Sequence, residues 1–431
     1  MAADFHRVSY LAACLHFQRI MLQKKISTLF YNPRTLLFFY VFAALFISVQ
    51  LILLGTHAFV MPKVIPVDIM NQPQLMNQFV GKQLTEYNNY IIFRQSFYHL
   101  LHGFNLYTIY PNEHWDFYKY SPTFAMFMGA IAWMPDYLGV SIWNLLNCIA
   151  IFTAIRMLPF NTKTQCLLLW FIANELLTSF SNAQSNGLMC GLMVAAYACM
   201  QRDKVALAAL WLVLATFIKV YGAIGFCLFL FYPGKIRFIF YAFLWTVLLF
   251  AVPLLVTSFH TLTWQYQNWL TLMKADASAA TGLSVAGWLN SWFGFSSNGI
   301  VTITGLLLFL IPFIRYKLYR DEVYRLLILA SMLIWVIIFN HKAESPTYII
   351  AVTGVGIWYF VRPRKVWRTI LLWTVLVFTS LSNTDFFPDY VKSHFMKPYK
   401  IKAVPCIIAW SVVFAEIMLL KLPGNATAED K

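Results

Sequence analysis

Between residues 86 and 119 the chain gathers Glu86, Asn89, Arg94, His99, His102, Glu113, His114, Asp116 and Lys119. Carboxylates in such a group can take a proton from a hydroxyl, and the cations can hold an oxyanion. Only 11% of the 431 residues are charged, so the stretch is a local concentration of chemistry. Glu113, His114 and Asp116 are also close enough in sequence to suggest a divalent cation, which would help a phosphate leave. Many ordinary turns share that spacing, and no metal ligand set is assigned.

Three further polar patches interrupt apolar sequence. Lys219 ends an apolar helix and is followed by Val220 and Tyr221. It either snorkels to the membrane interface or contacts a phosphate there. Residues 181–187 carry Asn182, Gln184 and Asn186, whose amides suit hydroxyl-rich ligands and equally suit a polar turn between two helices. Residues 340–346 carry His341, Lys342 and Glu344. The two bases can hold a lipid phosphate while Glu344 orients Lys342, or the group is a structural ion pair.

The elements that must position these residues are membrane helices. The sequence is 60% hydrophobic and 18% aromatic, against about 45–50% apolar residues in soluble domains. Its long apolar runs read as helical spans, without the alternating pattern of a closed barrel. The net charge of +15 collects in short loops, so topology accounts for it and nucleic acid is not an expected partner. The seven cysteines lie mostly in apolar runs, without metal-type spacing.

Residues 1–34 read as a basic, cytoplasmic interfacial helix, and residues 35–431 as a single transmembrane domain. The basic loops at 156–163, 201–204, 235–237, 315–325 and 362–368 go to the cytoplasm by the charge rule, with about twelve crossings and both termini inside. External loops then lie at about residues 55–120, 181–186, 258–298, 340–345 and 383–402. Residues 121–134 are too short for an ordinary span and read as a membrane-embedded helix. Every polar patch above falls on the external face.

In its motifs the sequence resembles the polyprenol-phosphate-sugar-dependent glycosyltransferases of family 87, membrane mannosyltransferase-like enzymes of GT-C architecture. The resemblance rests on His102-Gly103-Phe104-Asn105-Leu106-Tyr107, Tyr120-Ser121-Pro122, the Gln-x-Asn of residues 182–187, the helix end at residues 216–221, and the stretch 282–287 containing Ser284. It implies an all-α GT-C bundle whose large first external loop carries juxtamembrane helices. It also implies inverting transfer of a hexose from a polyprenyl-phosphate-linked donor to a glycan or glycolipid acceptor. The general base would be a first-loop acid, and Asn89 occupies the position where the family commonly has an aspartate. An amide cannot take the proton, so Asp116, Glu113 and Glu86 are the catalytic candidates, the first two ahead of Glu86; Asp68 is more remote. Asn89, Arg94, His114, Asn182, Gln184, Asn186, Lys219, Tyr221, Ser284, His341, Lys342 and Glu344 are the expected substrate contacts. A bacterial plasma membrane is the expected location. A transporter or lipid flippase and a catalytically altered scaffold are the alternative classes.

Overall fold

The computed structural model describes residues 28–55, 85–276 and 281–421. The interfacial helix expected over residues 1–34 lies largely outside these, as does Asp68. No β-strand occurs among the described residues.

In chain order the principal helices are α1 (Pro33–Gly55), α2 (Asn88–Leu101), α3 (Pro122–Ala132), α4 (Asp136–Arg156), α5 (Thr162–Ser181), α6 (Asn186–Gln201) and α7 (Val205–Ile218). A 3-10 segment, Val220–Phe231, continues from α7. Then follow α8 (Lys235–Ala251), α9 (Phe259–Asp276), α10 (Val285–Phe293), α11 (Asn298–Leu310), α12 (Glu322–Ile338), α13 (Tyr348–Val361), α14 (Val366–Val375) and α15 (Val404–Leu419).

Among the described residues, four helical stretches are long and apolar enough to cross a membrane: Pro33–Gly55, Asp136–Arg156, Lys235–Leu255 and Ile401–Leu419. Six shorter apolar helices accompany them, among them Pro122–Ala132 and Val205–Ile218. At about 1.5 Å per residue, the 11 residues of α3 reach roughly 17 Å, far less than the ~30 Å hydrocarbon core. The stretch expected to be membrane-embedded, residues 121–134, thus holds a helix shorter than a span.

Burial separates the centre of the bundle from its rim. Nearly every residue of α6, α12 and α13 is buried, the mark of helices that are apolar all round. Gly191 lets α6 approach the backbone of α4 at Ala150. Outer helices instead expose large apolar side chains: Phe38, Phe42, Phe46 and Leu53 on α1, and Ile239, Phe240, Phe243 and Val247 on α8. Contiguous apolar faces of that size require a partner other than water. With four spanning-length helices, that partner is lipid, and the chain is an integral membrane protein.

Two charge clusters sit within the bundle. Lys402 meets Glu175 at 2.7 Å, both buried, while Arg362 and Arg368 converge on Glu416 at 3.1 and 2.6 Å. Each cluster joins helices that are distant in sequence, and neither lies among the polar patches singled out above.

Candidate active site

Residues 88–121 are held in place by polar groups of their own and of α9. Asn88 at the start of α2 accepts from Trp115 N at 3.0 Å. Tyr107 and Tyr118 hydroxyls donate to the carbonyls of Tyr120 (2.9 Å) and Ser121 (2.7 Å). Ser121 caps α3 by accepting from Phe124 N and donates to Phe217 O at the end of α7. From the long loop, Gln265 on α9 takes both Leu106 N (3.1 Å) and Phe104 O (2.6 Å), and Trp269 donates to Lys119 O at 3.2 Å. The Tyr-Ser-Pro motif is thus a corner stapled to α7 and α9.

The remaining walls come from three junctions. Lys219 stands in extended backbone between α7 and the 3-10 segment. Gly222 lets that segment press on α7, since a Cβ there would stand 2.6 Å from the carbonyl carbon of Ala215. Ala183, in left-handed conformation (φ 45°), turns the chain from α5 towards α6 and presents Gln184. Residues 340–344 are pinned by Gly282 N to His341 O (2.6 Å) and Leu283 N to Ala343 O (2.7 Å). A side chain on Gly282 would strike Ala343 O.

Together these pieces enclose a cavity of about 420 Å³. Asn89, Asp116, Lys119 and Tyr120 line it from the first loop and α2, Gln184 from the α5–α6 turn, and Lys219 and Tyr221 from the α7 junction. Asn340, His341, Lys342, Glu344 and Thr347 close the far side, with Met273 of α9. Four of the polar regions scattered along the sequence therefore meet at one place. The stretch 383–402 reaches only its edge, where Asn383 donates to Ser345 at 2.6 Å.

Asp116 pairs with Lys119 at 3.5 Å and accepts from Phe117 N at 2.7 Å. Its side chain keeps 27% of its accessibility because it opens on the cavity, yet protein surrounds it. That burial raises its carboxyl above the usual aspartate range; Lys119 pulls the value down and Glu344 pushes it up. Lys219 is pushed down to about 8 by burial, with Glu344 opposing and Lys119 adding to the shift. Its ammonium lies 5.6 and 5.7 Å from the ring centres of Tyr120 and Tyr221, within cation–π range. It also donates to Asn186 Oδ1 at 2.8 Å.

Several expected contacts lie elsewhere. Arg94 pairs with Asp136 at the start of α4, so it locks α2 to α4 and does not line the cavity. Glu86 is exposed at the end of α1, its backbone N bonded to Gly55 O at 3.0 Å. Glu113 also lies off the cavity, paired with His99 at 3.0 Å. Burial works to raise its carboxyl, but His99, His114 and Arg94 outweigh this and hold it below the usual range. His114 is buried and pushed down to about 4 by that burial, so it is neutral near pH 7. Ser284 caps α10 by accepting from Gly287 N at 3.2 Å. Asn182 contributes its carbonyl to Asn89 (2.9 Å), and Asn186 stands behind Gln184. Tyr120, Asn340, Thr347 and Met273 are not among the expected contacts; Tyr120 and Asn340 lie inside stretches the sequence singles out and Thr347 adjoins one, whereas Met273 has no sequence signal. Among the described residues no group of three or more His, Cys, Asp or Glu is placed to hold a metal.

The family model for glycosyltransferase family 87 matches residues 117–382, more than half of the chain. The chain belongs to glycosyltransferase family 87. It is therefore a membrane glycosyltransferase, an enzyme with a sugar donor and an acceptor. The matched span contains Tyr120, Gln184, Lys219, Lys342 and Glu344 of the cavity, and begins one residue after Asp116. No curated protein matches the chain.

Proposed function

We propose that this family 87 enzyme moves a hexose, mannose-like, from a polyprenyl-phosphate-linked donor to a glycan or glycolipid acceptor at the external membrane face, with inversion. The observation that carries the reading is the cavity itself, where a half-buried carboxylate, Asp116, shares one space with Lys119, Lys219 and Lys342. A lipid-linked sugar phosphate needs cations at the phosphate and a base at the acceptor, within one desolvated site.

In this mechanism Asp116 takes the proton of the acceptor hydroxyl. The acceptor oxygen attacks the anomeric carbon from the side opposite the phosphate. The bond from that carbon to the phosphate oxygen breaks, and its electron pair leaves with the polyprenyl phosphate. Lys219 and Lys342 neutralise the growing negative charge. Among the three carboxylates considered from the sequence, only Asp116 lines the cavity, which favours it over Glu113 and Glu86. Its carboxyl, raised by burial, is a stronger base than an ordinary aspartate. Asn89, held by Asn182, is placed to orient a hydroxyl.

The test is transfer by purified protein in liposomes, supplied with radiolabelled polyprenyl-phosphate hexose and a glycolipid acceptor. Label should move to the acceptor with release of one polyprenyl phosphate per transfer. Transfer from a nucleotide sugar instead, or none from the lipid-linked donor, would overturn the reading.

A further inference from the structure

Lys219 and Glu344 lie on opposite sides of the cavity without touching, yet they are joined. Lys219 Nζ donates to Asn186 Oδ1 at 2.8 Å, Asn186 Nδ2 to Gln184 Oε1 at 2.7 Å, and Gln184 Nε2 to Glu344 Oε2 at 2.9 Å. The two ends fix the direction of the chain. An ammonium only donates and a carboxylate only accepts, so both amides must turn their oxygens towards Lys219 and their nitrogens towards Glu344. Asn186 is fully buried and absent from the cavity wall, so a sugar cannot reach it. Gln184 is nearly as buried, and both ends of its amide are engaged.

We propose that Gln184 and Asn186 form a polarised amide bridge that makes Glu344 the counter-charge of Lys219 at a distance, and that both act as positioning residues for this pair. This rests on the function proposed above and names how its phosphate-binding cation is kept ready. A direct ion pair would compensate the buried charge of Lys219 but occupy it. The bridge supplies compensation through aligned amide dipoles and takes only one of the three ammonium donors, leaving the others for phosphate oxygens. The groups facing Lys219 are Asn186, the rings of Tyr120 and Tyr221, and, at longer range, Glu344 and Lys119.

The bridge is tested by two substitutions of opposite sign at Asn186, read on the full-length protein in liposomes. The ionisation of Lys219 is followed by its acylation with acetic anhydride across pH, quantified by mass spectrometry. Asn186→Leu removes an acceptor from the charged lysine, so the midpoint should fall by about one pH unit. Asn186→Asp puts an anion beside it, and the midpoint should rise. The alkaline limb of the transfer profile should move with the midpoint in each case. Gln184→Met should lower kcat with little change in donor KM, and the double variant Gln184→Met/Asn186→Leu should be no more than about threefold worse than the poorer single, as expected of one connected chain.

A midpoint unchanged in both Asn186 variants would overturn the bridge. So would additive rises in KM, which would mark the amides as substrate contacts. Because the lysine titration needs no sugar transfer, it judges the bridge even if the wild-type enzyme fails to use the lipid-linked donor, an outcome that would instead sink the proposed function.

Discussion

In the proposed mechanism Asp116 and Lys219 have opposite requirements on pH. Asp116 must be ionised to accept a proton, and burial raises its carboxyl, so the acidic limb of the transfer profile should lie above the range of an ordinary aspartate. Lys219 must be protonated to hold phosphate, and it is pushed down to about 8, so the rate should fall as pH passes that value. A bell with both limbs is the expected profile of kcat/KM. Lys219→Gln should abolish the alkaline limb and slow transfer by roughly 10²–10³-fold, whereas Lys219→Arg should retain part of the rate and extend activity to higher pH. An unmoved alkaline limb in Lys219→Arg would show that another group titrates there. At this scale the sequence was a partial guide. Types and neighbourhoods marked Asp116, Lys219, His341, Lys342 and Glu344, all of which line the cavity. Arg94 could not be placed from sequence, because its partner Asp136 is 42 residues away. Ser284 looked like a contact and is a helix cap; both uses favour the same side chain.

Between elements, two joints carry most of the positional information. Gly222 is the only residue type that fits where the 3-10 segment meets Ala215. Gly222→Val should push Lys219 and Tyr221 off the cavity wall, lowering transfer by at least about tenfold through misplacement of the phosphate contact. If the rate is unchanged, the segment is not what sets Lys219. Ser121 both caps α3 and bonds Phe217 O. Ser121→Ala should cost about 1 kcal/mol in stability from the lost cap, measurable as a lower unfolding midpoint in mild detergent. Most helices were readable from apolar runs and charge, including the short α3. The stapling of the first loop by Gln265 and Trp269 was not, since those bonds span about 150–160 residues and no periodicity encodes them.

The whole molecule is a helical membrane bundle with a buried centre of α6, α12 and α13 and an apolar outer surface. By the charge rule the cavity is expected outside and the Arg362–Arg368 region inside. Cysteines introduced at two exposed positions test this orientation. Asn383→Cys, at the cavity edge, should react with an impermeant maleimide added to intact cells, and Arg364→Cys only after permeabilisation. The reverse pattern would place the cavity in the cytoplasm. Composition alone made the membrane class legible. Convergence of the polar patches followed from putting their loops on one face, while the cavity's walls needed the folded chain.

In the proposed mechanism Asp116 takes the acceptor proton in the cavity where Lys219 holds the phosphate. Single-turnover transfer from a radiolabelled polyprenyl-phosphate hexose, with Asp116→Asn, Glu113→Gln and Glu86→Gln compared at saturating donor, tests it most directly. Asp116→Asn should slow the chemical step by about 10²–10⁴-fold with donor binding intact, and Glu113→Gln and Glu86→Gln should stay within a few-fold of wild type. Wild-type rates in Asp116→Asn, or a loss confined to Glu113→Gln or Glu86→Gln, would rule out Asp116 as the base.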